Sequence, residues 1–181
     1  MKQIELLAPA GDFEKLQMAI NYGANAVYLG GANFSLRANA KNFDTEELER
    51  AINYAHERNV KVYVAVNIFA HNKDFEGLEE YLNTLKKIGA DAVIVADLGV
   101  FSVATKIKDL EIHISTQANI TNYQSAMFYY NLGAKRIVLA RELSFEEIGE
   151  FVENDPPFHI EAFVHGAMCM AYSGRCLLSN L

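Results

Sequence analysis

A chain of 181 residues, 51% of them hydrophobic, can bury a sizeable core and fits a single domain covering residues 1–181. Its formal net charge is −7, and its lysines and arginines are scattered, so it lacks the basic patch typical of a nucleic-acid surface and the case for an RNA substrate is weakened. No apolar run approaches the roughly 18 residues of a membrane span, and the short apolar run near the N-terminus cannot serve as a secretory signal, which predicts a cytoplasmic protein with no membrane contact.

Apolar strands and amphipathic helices alternate along the chain. Three similar segments, NYGANAVYLG from Asn21, KIGADAVIVA from Lys87 and NLGAKRIVLA from Asn131, each join a helix end to a short buried strand. Glycine supplies the left-handed conformation that ends a helix, and Asn59 takes its place in a fourth junction. These patterns predict strands at about 4–8, 26–29, 61–66, 92–95, 111–115, 136–139 and 159–164, and helices at about 12–22, 44–58, 74–88, 98–107, 122–132 and 144–154. Several of these helices begin at a predicted capping residue, namely Asp12, Asp44, Asn122 and Ser144, and the second and fourth of these have the spacing of a capping box.

Strict alternation of this kind predicts an α/β fold with a parallel sheet. Polar side chains follow the end of every predicted strand, which favours a TIM-type (β/α) barrel over an open sheet with a single crevice. A closed barrel has eight strands and runs to roughly 250 residues. We therefore expect an incomplete barrel of about seven strands, and we infer that the chain is the N-terminal part of a longer protein.

Four polar residues near strand exits are candidate substrate contacts: Arg37, Asn67, Gln117 and Arg141. A guanidinium is well suited to bind a carboxylate or phosphate group. Each arginine has the alternative of pairing with a neighbouring acid, such as Glu142 beside Arg141. Asn67 and Gln117 have the alternative of capping the helices that follow them.

The segment from Glu161 to Cys176, written EAFVHGAMCMAYSGRC, gathers the remaining candidates. His165 closes the last predicted strand and is a candidate general acid or base, because imidazole titrates near neutral pH. Glu161 is a second catalytic candidate: within an apolar strand its carboxylate needs a partner, which we expect to be Arg141 or His165 if it points into the barrel. If it points outward, it is a salt-bridge partner only.

Cys169 and Cys176 are the only two cysteines, and they are separated by a turn predicted at Ser173-Gly174. Two cysteines in a chain of this length are not a disulfide framework, so they are free thiols or metal ligands. A closed zinc site or iron-sulfur cluster normally takes four protein ligands, of which these supply two. Unligated buried thiols, a redox pair and a zinc site that includes His165 remain open at this point.

The common hydrolase and nucleotide signatures Gly-x-Ser-x-Gly, His-Glu-x-x-His and the phosphate-binding glycine loops are absent from the sequence. Six separated motifs instead resemble peptidase family U-32, the collagenase-like peptidases. In chain order they are ELLAPAGDFEKL, AVYLGG, VNIFAHN, ISTQANITN, KRIVLARELS and EAFVHGAMCMAYSGRC. The resemblance spans essentially the whole chain.

This resemblance implies two different activities. The family name implies a peptidase, whereas better-understood members resemble oxygen-independent hydroxylases of tRNA, rRNA or the ubiquinone ring, with a 4Fe-4S cluster on four cysteines and prephenate as hydroxyl donor. The first two cysteines of that set match Cys169 and Cys176, and the other two are expected beyond Leu181. The resemblance thus favours the catalytic barrel of an RNA hydroxylase. Its alternatives are a peptidase and a subunit that binds a homologous partner in a quinone hydroxylase.

Overall fold

The computed structural model describes residues 4–32, 34–35, 43–166 and 170–175. Within them, strands and helices alternate in the predicted order. The strands are β1 (Leu7–Pro9), β2 (Ala26–Gly30), β3 (Lys61–Val66), β4 (Ala92–Val95), β5 (Glu111–Ile114), β6 (Arg136–Val138) and β7 (His159–Glu161). The α-helices are α1 (Phe13–Asn21), α2 (Thr45–His56), α3 (Leu78–Lys87), α4 (Leu98–Ala104), α5 (Tyr123–Asn131) and α6 (Phe145–Glu153), and 3₁₀ turns occupy Asn72–Phe75 and Thr116–Ala118.

The seven strands form one parallel sheet whose spatial order, β1 to β7, is the order in the sequence. Each crossover therefore places a helix on the same outer face, which is the arrangement of a (β/α) barrel. The predicted fold class, an incomplete barrel of seven strands, is confirmed. Among the described residues β1 and β7 remain the two edges of this sheet.

The core follows from the alternation of side chains along each strand. On β3, Val62 and Val64 face outward and pack against the helices, while Tyr63 faces the interior of the curved sheet with Ala92 and Ile94 of β4. The outer cluster is apolar throughout. The interior also contains charged residues, and these lead to the functional site.

Local sequence determines where most helices begin and end. Asp12 and Asn122 accept a hydrogen bond from the third residue of their helices, while Asp44 and Ser144 form full capping boxes, all as predicted. The left-handed junctions are also confirmed, with φ of 97°, 94° and 115° at the three glycines and 57° at Asn59; the glycines are Gly23, Gly89 and Gly133.

Several element boundaries differ from the prediction. Strand β1 begins at Leu7 instead of residue 4, and α4 ends at Ala104 instead of residue 107. The helix expected at 74–88 is divided, because Gly77 adopts a left-handed conformation with φ of 77° between the 3₁₀ turn and α3. The strand expected at 159–164 ends at Glu161, whose carbonyl accepts the ladder hydrogen bond of Leu139 N–H. Beyond it Val164 is 83% exposed, so the buried strand predicted there is wrong for its last residues.

No helix within the described part of the chain is long and apolar enough to span a membrane.

Candidate functional site

A cavity of about 620 Å³ lies at the carboxyl ends of the strands, the end that carries the active site in (β/α) barrels. We call it the mouth pocket. Residues at the ends of strands near both edges of the sheet line this pocket, so the pocket is formed by the barrel as a whole. Its polar and charged lining residues are Asp12, Lys15, Ser35, Asn67, Ser115, Thr116, Gln117, Arg141 and Glu161.

Arg141 is the cation of the pocket without an ion pair among the described residues. Its guanidinium carbon lies 4.2 Å from the centroid of the Phe163 ring, and its buried Nε has no hydrogen-bond partner in that part of the chain. The expected alternative, pairing with Glu142, does not occur: the Glu142 carboxylate accepts a hydrogen bond from Ser173 N–H at 2.7 Å instead. Arg141 thus offers a donor group to an anion bound in the pocket.

Two amide side chains line the same pocket as this cation. Gln117 lies in the 3₁₀ turn that follows β5, and its buried Oε1 has no hydrogen-bond partner among the described residues. Asn67 follows β3 directly and also lines the pocket. The structure therefore brings together three of the four predicted substrate contacts, while their role in binding remains a prediction. The fourth, Arg37, lies outside the described residues.

Glu161 points into the barrel, but its partner is neither of the two we expected. Its Oε2 accepts a hydrogen bond from Arg136 Nη1 at 3.3 Å. The same nitrogen donates to Glu5 Oε1 at 2.6 Å. The expectation of Arg141 or His165 as partner is corrected, because Arg136 lies on the adjacent strand and faces inward one layer below Val138, the residue in register with Glu161.

The two carboxylates that share Arg136 have pKa values shifted in opposite directions. Burial raises the pKa of Glu161, against the attraction of Arg136. Burial alone would also raise the pKa of Glu5, but hydrogen bonds from Arg136 and Tyr63 outweigh it and lower that pKa to about 2. Glu161 is thus the carboxylate that can hold a proton, and it is also the one that lines the mouth pocket.

A histidine that the sequence analysis did not single out lies in the same interior. His113 is fully buried on β5, its Nε2 is 2.9 Å from Glu111 Oε1, and its ring centroid is 4.6 Å from that of Tyr63. Burial lowers the pKa of His113. Every second side chain of a strand faces the same side of the sheet. This alternation, counted from Glu111 or from Arg136, could have predicted the inward-facing polar layer from the sequence.

His165, the predicted acid or base, follows β7 with an exposed side chain and is not part of the pocket lining. Its catalytic role remains a prediction. Cys169 and Cys176 lie outside the described residues. Within those residues no group of three or more His, Cys, Asp or Glu side chains is arranged to hold a metal ion.

The segment between the two cysteines is anchored at the mouth. Arg175 N–H donates to Tyr172 O at 2.9 Å, which closes the predicted turn around Ser173 and Gly174. Ser173 is buried, and its hydroxyl lies 3.4 Å from Thr116 Oγ1. A β-carbon on Gly174 would lie 2.0 Å from the carbonyl oxygen of Gln117, so only glycine permits this close approach.

The parallel sheet and the polar pocket at its mouth place this chain in the class of (β/α)-barrel proteins. A solved structure of a U32 peptidase has the same fold, with a TM-score of 0.71 and 18% identity over 88% of this chain and 68% of that one. The model of peptidase family U32 matches residues 11–181, and the chain belongs to that family. The resemblance inferred from the six motifs is confirmed.

Relatives of similar identity have different names. The chain is 46% identical to tRNA hydroxylation protein P1 of Bacillus subtilis, covering 99% of this chain and 42% of that protein. It is also 46% identical to an uncharacterized protease of Methanocaldococcus jannaschii, covering 99% of this chain and 45% of that protein. The chain therefore spans less than half the length of these relatives.

Proposed function

We propose that this chain is the catalytic barrel of an RNA hydroxylase that modifies a pyrimidine of tRNA or rRNA. The observation that carries the proposal is the 46% identity to a protein named for tRNA hydroxylation, which extends over 99% of the chain. Because the chain carries a net charge of −7, we propose that the basic surface that binds RNA lies in another part of the whole protein.

The mouth pocket suits an anionic co-substrate beside the RNA base. Arg141 has a buried Nε without a partner among the described residues, and the ring of Phe163 lies 4.2 Å beneath its guanidinium. This arrangement fits a carboxylate-bearing molecule, and prephenate is the dicarboxylate that we propose as hydroxyl donor. Gln117 adds a buried carbonyl oxygen that can accept a hydrogen bond from a donor hydroxyl.

Cys169 and Cys176 would supply two of the four thiolates of a 4Fe-4S cluster, with the other two from outside this chain. Such a cluster supplies one-electron transfer when bound. The anchoring of Ser173 and Gly174 supports this assignment, because it holds the segment between the two cysteines against the pocket wall. A homologous partner subunit is a further binding partner that the family resemblance suggests.

Peptidase activity is the alternative, since one relative is named as a protease. A serine or threonine nucleophile needs an adjacent base. Two of the three serine and threonine hydroxyls that line the pocket are engaged differently: Ser115 accepts a hydrogen bond from Gln117 N–H, and Thr116 donates to Leu139 O. These contacts favour a structural role for both hydroxyls and make hydroxylation the better-supported proposal.

The test is mass spectrometry of RNA nucleosides from a host that lacks its own tRNA-hydroxylating protein and expresses the whole protein. Wild type is expected to yield a hydroxylated pyrimidine, and Arg141→Ala is expected to lower the yield at least tenfold by removing the anion partner. Arg141→Lys keeps the charge but not the planar fork, and an intermediate yield is expected.

Lys86→Ala is the matched control, since Lys86 lies at the opposite end of the barrel, where it makes a partly exposed ion pair with Asp109 and donates to the carbonyl of Lys108. Unmodified RNA together with cleavage of a gelatin substrate that requires Arg141 would establish the peptidase alternative instead.

A further inference from the structure

Inside the barrel, two carboxylates from opposite edges of the sheet compete for one guanidinium nitrogen. Glu5 precedes β1 and Glu161 ends β7, and both accept hydrogen bonds from Arg136 Nη1, at 2.6 Å and 3.3 Å. The side chain of Arg136 is 11% exposed and those of the two acids are 22% and 17% exposed, so solvent screens this triad only weakly.

The competition is unequal. Glu5 Oε1 also accepts a hydrogen bond from Tyr63 O–H at 2.7 Å, and Lys61 Nζ lies 3.4 Å from Glu5 Oε2. Among the described residues, Arg136 is the one hydrogen-bond donor to the side chain of Glu161, and the distance is the longer of the two. The surrounding cations and hydrogen-bond donors therefore stabilise the ionised form of Glu5 more than that of Glu161. Glu161 is the acid of the two that can be neutral.

We propose that Glu161 is the proton-transfer residue of the mouth pocket and that Glu5 is the positioning residue that keeps Glu161 able to hold its proton. Glu161 is the member of the triad that lines the pocket. Its Oε2 faces Arg136, so the proton is on Oε1, from which it passes to an oxygen of the bound substrate. The carboxylate formed is then stabilised by the guanidinium 3.3 Å away. The catalytic half of this inference rests on the proposed function.

Burial and two neighbouring charges set the proton affinity of Glu161. Burial raises the pKa of Glu161, Arg136 opposes that rise, and the negative charge of Glu5 adds to it. Removing the charge of Glu5 both frees Arg136 and abolishes a like-charge repulsion, so the two effects have the same sign. Besides Glu5 and Arg136, which belong to the triad, the titratable and charged groups around it are Lys61, Tyr63, Glu111 and His113.

The first experiment is a pH titration of this chain, followed by NMR of ¹³C-labelled glutamate carboxyls and with the Glu161 signal assigned through Glu161→Gln. In wild type, Glu161 is expected to titrate above the ordinary range of glutamate. In Glu5→Gln its midpoint is expected to fall by about one pH unit or more, a tenfold change in proton affinity.

Glu111→Gln is the matched control, because Glu111 is bonded to His113 in the same interior. It is expected to move the midpoint of Glu161 by much less than Glu5→Gln does, because Glu111 acts on Arg136 and makes no hydrogen bond to it. A midpoint of Glu161 that is normal in wild type, or that is unchanged in Glu5→Gln, overturns the inference.

The second experiment is the pH profile of hydroxylation by the whole protein. Glu161→Gln is expected to abolish hydroxylation while leaving the fold intact by circular dichroism. In Glu5→Gln, the limb of the profile that reports Glu161 is expected to move to lower pH by the shift that NMR measures, with the maximal rate largely retained. A merely structural Glu5 would lower the rate without moving the limb.

The two proposals fail in different ways. Hydroxylation by wild type with an unshifted limb in Glu5→Gln overturns the inference alone. Absence of hydroxylated nucleoside from wild type overturns the proposed function, and with it the catalytic role of Glu161, whatever the NMR titration shows.

Discussion

Arg136 illustrates how much a single buried residue contributes to this fold. It donates to Glu5 and Glu161 and lies 5.1 Å from the centroid of the Tyr63 ring, so it joins β6 to both edges of the sheet. Replacing it with methionine leaves two buried carboxylates without their cation. We expect Arg136→Met to lower the free energy of unfolding by about 3 kcal/mol, measured by urea denaturation.

The control for this prediction is Lys86→Met, which removes an exposed ion pair and is expected to change stability by less than about 0.5 kcal/mol. Equal stabilities for the two variants would show that the triad contributes nothing to the fold.

The pH dependence of stability should separate the two acids of the triad. The pKa of Glu5 is about 2 in the fold against an ordinary value of 4.5, so Glu5 stabilises the protein above pH 4.5, and this contribution is lost as the pH falls toward 2. Glu161 has a raised pKa, so its contribution is present below pH 4.5 and is lost as the pH rises through its folded pKa.

We therefore expect Glu5→Gln to flatten the loss of stability between pH 4.5 and 2, and Glu161→Gln to flatten the loss above pH 4.5, in urea denaturation across pH. If Glu5→Gln retained the full acid sensitivity of wild type, the assignment of that sensitivity to Glu5 would be wrong.

Individual residues also show how far the sequence predicts the site. Asn67, Gln117 and Arg141 were found from their places after strands, because the carboxyl ends of parallel strands meet at one edge. The partner of Glu161 was missed. Identifying it requires knowing that Arg136 faces inward and that Glu5, 131 positions earlier, reaches the same guanidinium, which is information about tertiary packing.

At the scale of elements, Gly174 tests the anchored turn between the cysteines. Its φ is 73° and it packs against the carbonyl of Gln117, so Gly174→Ala adds both backbone strain and a collision. We expect the amide of Ser173 to exchange at least tenfold faster in hydrogen-exchange measurements, because the hydrogen bond to Glu142 is released. Gly166→Ala is the control: Gly166 has a φ of 128°, but nothing lies within 4 Å of an added β-carbon.

Exchange at Ser173 that is equally fast in both glycine variants would show that the close contact of Gly174 with Gln117 is not what holds this turn in place.

Helix boundaries were predictable where the signal is local. A capping side chain and the residue three positions later are adjacent in sequence, so the capping boxes at Asp44 and Ser144 were correctly predicted. The end of β7 depends on hydrogen bonds to β6, and no local pattern in residues 162–164 reports where that pairing stops. The break at Gly77 was missed because an isolated glycine is tolerated within helical patterns.

At the scale of the whole molecule, the sheet order β1 to β7 places the mouth pocket at one end of the barrel, and the interior triad lies beneath it. The repeated helix-glycine-strand junctions predicted this architecture from sequence. Composition alone argued against RNA, since a net charge of −7 repels phosphate. The relative named for tRNA hydroxylation supports the opposite proposal, which assigns the basic surface to another part of the whole protein.

We propose that the mouth of this barrel performs redox chemistry and not hydrolysis. The most direct test of this proposal is quantification of iron, sulfide and zinc in the whole protein, purified without oxygen, beside Cys169→Ala. The account predicts about four irons and four sulfides per chain in wild type, and loss of both in the variant. Zinc without iron in wild type would contradict it and favour metal-dependent hydrolysis.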